Sequence, residues 1–155
     1  MHNFDLSKWN VMFNKIPFTR KNKTNLSMGI FNKLFNSSSE PKEEKLLPWQ
    51  ALNNVSQLTE IEKRSKTRTQ FVFKHSTRCG ISRMVMNQFV SMYDVDINAD
   101  LYYLDLLNYR DVSNEVGYKF QVLHQSPQLL VIRNGATVAH ASHGGINELE
   151  LNRFV

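Results

Sequence analysis

The chain has 155 residues, of which 41% are hydrophobic and 11% aromatic, so it can bury one sizeable core and we expect a single domain. Its one cysteine, Cys79, excludes an internal disulfide and any site that requires four thiolates. A net charge of +5 raises nucleic acid or anionic membrane as partners, but residues 1–27 carry +4 of it and the remaining residues only +1. The globular part is close to neutral, and we predict no nucleic-acid partner for it.

The amino-terminal part of the chain differs from the rest. Residues 1–27 show no sustained period and no apolar stretch long enough for a secretory signal or a bilayer span, which predicts a cytoplasmic protein without a transmembrane segment. We predict that residues 1–45 form a flexible extension that ends in a polar linker, with Met28 as a second candidate start, and that residues 46–155 form the domain. Alternatively, the basic charge and the small apolar face of residues 30–35 form an arm that docks on a membrane or nucleic acid.

Hydrophobic periodicity predicts alternating strands and helices in the domain. The predicted strands are 49–52, 70–75, 101–105, 128–132 and 137–141, and the predicted helices are 56–67, 80–93, 108–118 and 147–154. The helix at 80–93 is the clearest, with one predicted core face made of Ile81, Met84, Val85, Phe89 and Met92.

The connections between these elements predict the fold class. The first three strands are joined through helices, which favours parallel pairing, whereas Asn134-Gly135 predicts a tight antiparallel hairpin between the last two. We therefore predict an α/β protein of order β-α-β-α-β-α-β-β-α, with a central mixed sheet flanked by helices.

The single thiol lies between a predicted strand and a predicted helix, in the segment KHSTRCGIS. Unpaired backbone N–H groups and the positive end of the helix dipole at this position favour the thiolate form. Arg78 and Lys74 are expected to add positive charge nearby. The alternative for Cys79 is a small, buried, apolar residue.

Two further residues bear on thiol chemistry. Ser82 takes the fourth place of a C-x-x-S spacing, and its hydroxyl cannot resolve a mixed disulfide formed at Cys79, so turnover would need an external thiol. Pro127 precedes the strand QLLVI, where a proline is expected at the strand's start or in a turn. If the Ser126-Pro127 bond is cis, the bend would aim the Ser126 backbone at the Cys79 loop.

The element order, the C-x-x-S spacing at the second helix and the proline before the hairpin together resemble the thioredoxin fold. More narrowly, the string FKHSTRCGIS resembles the YtxJ family of monothiol bacilliredoxin-like proteins, and the resemblance covers about residues 46–155. It implies that Cys79 is the redox cysteine, that Ser82 stands where thioredoxins have a resolving thiol, and that Ser126-Pro127 is cis. Gly80 departs from the family, which commonly has proline there.

The resemblance also implies a function: Cys79 would remove bacillithiol from protein mixed disulfides. Bacillithiol would be the co-substrate, with no tightly bound cofactor, and a second bacillithiol or a separate disulfide reductase would regenerate the thiol. Gly144-Gly145 resembles the glycine pair with which glutaredoxins hold a carboxylate of glutathione, although two glycines can also simply make a tight turn. The residues expected to contact the substrate are Thr77, Arg78, Gly80, Ser82, Ser126, Pro127, Gly144 and Gly145.

Other functions remain open at this point. The protein could be a non-catalytic binding or redox-sensing module whose thiol is modified under stress. A metal site would require several side chains from the set His75, Cys79, His124, His140 and His143 to converge, and we predict none. A Cys-His hydrolase would need a histidine beside the thiol, whereas we expect His75 to point along its strand and His124 to be a loop residue.

Overall fold

The structure is a computed structural model that describes residues 45–155, which form one compact unit. Apart from residue 45, the predicted extension, its arm and the candidate start at Met28 lie outside the described residues and stay predictions. The elements are strands β1 (Trp49–Ala51), β2 (Thr69–His75), β3 (Ala99–Asp105), β4 (Gln128–Arg133) and β5 (Ala136–Ser142), helices α1 (Ser56–Arg64), α2 (Gly80–Met92) and α3 (Arg110–Lys119), and two 3₁₀ segments (His143–Glu148 and Leu151–Phe154). This order confirms the predicted sequence of elements as far as β5.

The five strands form one mixed sheet in the order β1-β3-β2-β4-β5. β3 pairs in parallel with both β1 and β2, whereas β4 pairs antiparallel with β2 and with β5. The predicted hairpin is confirmed, because Asn134 and Gly135 have φ angles of 52° and 81°. Two consecutive positive φ angles are what a two-residue hairpin turn requires.

The sheet is covered on both faces, as predicted. Phe71 and Phe73 of β2 face one side, where they pack with α2 in a cluster that we call the α2 core. Val72 faces the other side, where it packs with α1 and α3 in a second cluster, the α3 core. Successive residues of a strand point to opposite faces, so the end of β2 supplies side chains to both cores in alternation.

The predicted core face of α2 is partly wrong. Val85 and Phe89 are buried, but Ile81, Met84 and Met92 are 56%, 63% and 60% exposed. The buried positions of the helix are Ser82, Val85, Met86 and Phe89. Both stripes carry apolar residues at helical spacing, and the polar Ser82 concealed which of them packs on the sheet.

The predicted terminal helix, 147–154, is also wrong, because the chain ends in the two 3₁₀ segments. Ile146 is buried in the α2 core, and Leu149, Leu151 and Phe154 pack against it. Residues three apart lie on one side of a 3₁₀ turn, so the spacings 146/149 and 151/154 place these side chains on the core. The nearby glycine pair is also a poor helix former.

Candidate active site

The strand register brings the predicted site residues to one end of the sheet. Gln128, the first residue of β4, pairs both with Lys74 near the end of β2 and with Ser142 at the end of β5. Cys79 follows β2, Pro127 precedes β4, and the glycine pair follows β5. All three features therefore lie at the edge where the parallel strands β2 and β3 end, which is the edge where open α/β sheets bind ligands.

Cys79 is the residue that caps the amino end of α2. Its backbone is extended, with φ −102° and ψ 121°, and its carbonyl accepts the N–H of Arg83 at 3.0 Å. The side chain makes no capping hydrogen bond and is partly exposed, whereas the preceding Thr77 and Arg78 are exposed. The sulfur therefore lies free at the positive end of a 13-residue helix, as the sequence predicted.

Ser82 lies one turn into α2 and is completely buried. Its hydroxyl oxygen accepts the N–H of Ser76 at 3.0 Å and lies 3.1 Å from Nδ1 of His75, to which the hydroxyl proton can be donated. Ser82 thereby holds the start of the 76–79 turn, while the Cys79 N–H donates back to the Ser76 carbonyl at 3.1 Å. A direct contact of Ser82 with substrate stays a prediction. In the structure, the Ser82 hydroxyl supports the turn that carries the thiol.

His75 is buried beneath the thiol turn, and its ring lies against Tyr103 with the centroids 5.8 Å apart. Burial lowers the pKa of His75, although the nearby carboxylate of Asp105 opposes the shift. The neutral ring can then accept the Ser82 hydroxyl proton. The expectation that His75 points along its strand was wrong: the ring turns toward α2, and its hydrogen bond goes to Ser82.

The Ser126–Pro127 peptide bond is cis, which confirms the expectation from the resemblance. The Pro127 carbonyl accepts the N–H of His143 at 3.1 Å, which ties the bend to the start of the first 3₁₀ segment. The hydroxyl of Ser126 is buried without a hydrogen-bond partner. Gly144 follows at an exposed position where an added Cβ would meet nothing within 4 Å, so its backbone is open to a ligand.

Lys74 is not placed as the sequence suggested. It is completely buried on the α3 side of β2, where its amino group lies 2.9 Å from Nδ1 of His124. The Lys74 charge that we expected beside the thiol thus lies on the opposite face of the sheet, since adjacent residues of a strand point to opposite faces. The sequence did show two polar residues ending an apolar strand, and that signal could have identified both Lys74 and His75 as parts of the site.

The candidate metal ligands do not come together. Within residues 45–155 no three histidine, cysteine, aspartate or glutamate side chains are arranged to hold a metal ion. His124, His140 and His143 are exposed, and His75 and His124 hydrogen-bond to Ser82 and Lys74 respectively. In the same part of the chain, no helix is long and apolar enough to span a bilayer.

Gly80 is the first residue of α2, and the structure gives an expectation for its replacement by proline. An added Cβ meets nothing within 4 Å, and Cys79 has the extended backbone that a following proline requires. Proline suits the first helical position because its missing N–H has no intrahelical partner there. We therefore expect Gly80→Pro to raise the free energy of unfolding by about 0.4–1 kcal/mol, chiefly through the unfolded chain.

Urea unfolding of wild type and Gly80→Pro measures this difference, and Gly80→Ala is the matched control because it fills the same space but keeps the N–H. A Gly80→Pro protein less stable than Gly80→Ala would show that the Gly80 N–H has a stabilising partner in the folded state.

The fold and the site together define a class of protein. A mixed five-stranded sheet with helices on both faces, a free thiol at the start of α2 and a cis proline at the same edge define a thioredoxin-fold protein with a single cysteine. Ser82 one turn later leaves it without an internal resolving thiol.

The chain belongs to the monothiol bacilliredoxin BrxC family, whose model matches residues 50–151. It is similar to a solved thioredoxin-fold protein described as a candidate oxidoreductase, with 31% identity over 68% of this chain and 92% of that one and a TM-score of 0.59. Thioredoxin from Fasciola hepatica (17% identity, 68% and 99% coverage, TM-score 0.54) and NaTrxh from Nicotiana alata (23%, 74% and 93%, 0.55) share the fold. Family and fold together support a thiol oxidoreductase-type role.

Proposed function

We propose that the protein is a monothiol oxidoreductase that removes bacillithiol from protein mixed disulfides through Cys79. The observation that carries the proposal is the position of the thiol: it is free, partly exposed and at the amino end of α2. It is also the only thiol in the chain, so every exchange step after the first must use an external thiol.

The exchange conserves thiols and disulfides at each step. The Cys79 thiolate attacks the bacillithiol sulfur of the mixed disulfide, the S–S bond to the protein breaks, and the protein leaves as a thiolate. Cys79 then carries bacillithiol as a new disulfide. A second bacillithiol thiolate attacks that bacillithiol sulfur, which releases bacillithiol disulfide and restores the Cys79 thiolate. A separate reductase would recycle bacillithiol disulfide, and no tightly bound cofactor takes part.

The surroundings of the thiol suit a protein substrate. Thr77 and Arg78 flank the sulfur on the exposed turn, and Ile81 and Met84 add exposed apolar surface just beyond it. An apolar patch beside a reactive group is a surface that a partner protein can cover. The backbone of Ser126, next to the cis proline, would pair with the substrate's extended chain.

The small thiol would bind beside the glycine pair. Bacillithiol carries malate carboxylates, and the backbone at Gly144 and Gly145 is open, with no contact under 3.9 Å for an added Cβ. The pair lies next to Pro127 through the His143 hydrogen bond, so a carboxylate there would sit on the same edge as the thiol. A cytoplasmic location is part of the proposal, because the Cys79 thiolate must be regenerated in a reducing compartment.

The test treats purified protein with bacillithiol disulfide and then with a bacillithiolated protein. Intact mass is expected to show one bacillithiol adduct, absent when Cys79 has first been alkylated with iodoacetamide. Release of free protein thiol from the second substrate, in the presence of bacillithiol, is expected to be catalytic rather than stoichiometric.

The two readouts separate this function from the redox-sensing module that the sequence left open. An adduct without turnover would identify a sensor whose thiol is merely modified. A protein that forms no adduct at all would contradict both.

A further inference from the structure

Lys74 is a buried cation that the exchange chemistry does not use. Its side chain is completely buried on the face of β2 that the α3 core covers. None of the ion pairs among the described residues includes it. Its amino group has two polar neighbours, Nδ1 of His124 at 2.9 Å and the carbonyl of Ser113 at 3.4 Å. Burial lowers the pKa of Lys74 to about 8, so at neutral pH its amino group is protonated and only donates hydrogen bonds. Nδ1 of His124 is then the acceptor, and the His124 ring is neutral.

His124 belongs to the segment 123–126, which leads directly into the cis proline. A second buried side chain holds the same segment: Gln128 donates to the Leu123 carbonyl at 2.9 Å and accepts the Gln125 N–H at 3.4 Å. Gln128 is the cross-strand partner of Lys74. Two adjacent buried polar side chains therefore anchor the segment, one through its backbone and one through the His124 ring.

We propose that Lys74 is a positioning residue that fixes segment 123–126, and with it the Ser126 backbone that receives the protein part of the mixed disulfide. The inference rests on the proposed function. Lys74 and His75 then have separate roles on the two faces of the sheet. On the α2 face, His75 hydrogen-bonds to Ser82, which supports the thiol turn. On the α3 face, Lys74 hydrogen-bonds to His124 and so positions the substrate-binding backbone. One dipeptide at the end of β2 positions both halves of the exchange site.

The hydrogen bond gives the arrangement a pH dependence. His124 faces Lys74 of β2 and Arg110 and Ser113 of α3, and its pKa is lowered from 6.5 by burial and by the two cations. Once protonated, the ring cannot accept from Lys74 and repels it. The anchor is therefore intact at neutral pH and is lost as the pH falls through the lowered pKa of His124.

The experiment compares His124→Leu with His124→Asn, using a bacillithiolated protein as substrate. Leucine removes the acceptor, whereas the asparagine side-chain oxygen can stand where Nδ1 does and does not titrate. We expect His124→Leu to raise KM for the protein substrate by about tenfold, the size of one lost hydrogen bond to a charged group. His124→Asn should restore most of the wild-type KM and remove its rise at acid pH. His140→Leu, the same change at an exposed position of β5, is the matched control.

A second variant tests the other partner. Lys74→Met keeps the volume of the buried chain, removes the charge, and should raise KM as His124→Leu does, while the rate at which iodoacetamide alkylates Cys79 stays at the wild-type value. The inference would be overturned if KM were unchanged in both His124→Leu and Lys74→Met. It would also be overturned if the rate of Cys79 alkylation fell by the same factor by which KM rose.

Amide hydrogen exchange makes the test independent of turnover. In Lys74→Met and His124→Leu, the amide of Gln125, which donates to the Gln128 side chain, should exchange at least several-fold faster than in wild type, with the amides of α2 unchanged. If the wild-type protein lacks turnover but the two variants still show this faster exchange, the proposed function fails and the anchor stands. Unchanged exchange at the Gln125 amide would overturn the inference, whatever the activity of the variants.

Discussion

Cys79→Ser is expected to abolish both the bacillithiol adduct and the turnover of bacillithiolated proteins. The chain has no other cysteine that could take over the attack, and a serine hydroxyl is not ionised at neutral pH. The fold should not suffer, because the Cys79 side chain makes no capping hydrogen bond and serine is a preferred residue at this position. We expect the free energy of unfolding to stay the same or rise by about 1 kcal/mol.

Intact mass, turnover and urea unfolding of the same Cys79→Ser preparation check these expectations together. Loss of activity with unchanged stability assigns the loss to the thiol itself. An adduct or residual turnover in Cys79→Ser would show that the sulfur of Cys79 is not the attacking atom.

Ser82→Cys is expected to change the product of the reaction with bacillithiol disulfide. The new thiol would stand one helical turn from Cys79, the spacing at which a second thiol resolves a mixed disulfide. The bacillithiol adduct should therefore be transient and give way to an internal disulfide, seen as the loss of two hydrogens in the intact mass. In wild type the adduct should persist until another thiol is added.

Ser82→Ala is the matched control for this substitution. Both variants remove the hydroxyl that accepts the Ser76 N–H and reaches His75, so both should lower the free energy of unfolding, by about 1–3 kcal/mol for a buried group left unsatisfied. Only Ser82→Cys should clear its own adduct. A Ser82→Cys adduct as long-lived as that of Ser82→Ala would mean that the buried position keeps the second thiol from reaching Cys79.

The placement of the thiol and of the hairpin was predictable from short stretches of sequence. A thiol placed between an apolar strand and an amphipathic helix must lie near the helix amino terminus, whatever surrounds it. Asn134-Gly135 likewise specified the hairpin, because the positive φ angles of that turn are a local property of the two residues. The cis form of Ser126–Pro127 came from the resemblance, since nothing in the local residues fixes the isomer.

The parts that the sequence misassigned depend on contacts between distant residues. Ile81 and Met84 have the spacing of a core face, but Ser82 occupies the buried stripe instead because Ser76 and His75 satisfy its hydroxyl there. The burial of Lys74 has the same origin. A lysine is rarely buried without partners, and its acceptor, His124, lies 50 residues away in the chain.

By itself the sequence determined the order of the elements as far as β5, the mixed sheet and the thiol at the start of α2, because these follow from local periodicity and turn chemistry. Only the tertiary structure decided which face of α2 packs on the sheet, that the chain ends in 3₁₀ turns, and that Lys74 and His75 serve opposite faces. Those outcomes depend on which buried polar groups find partners, and hydrogen-bond partners far apart in the chain come together only when the strands take their register.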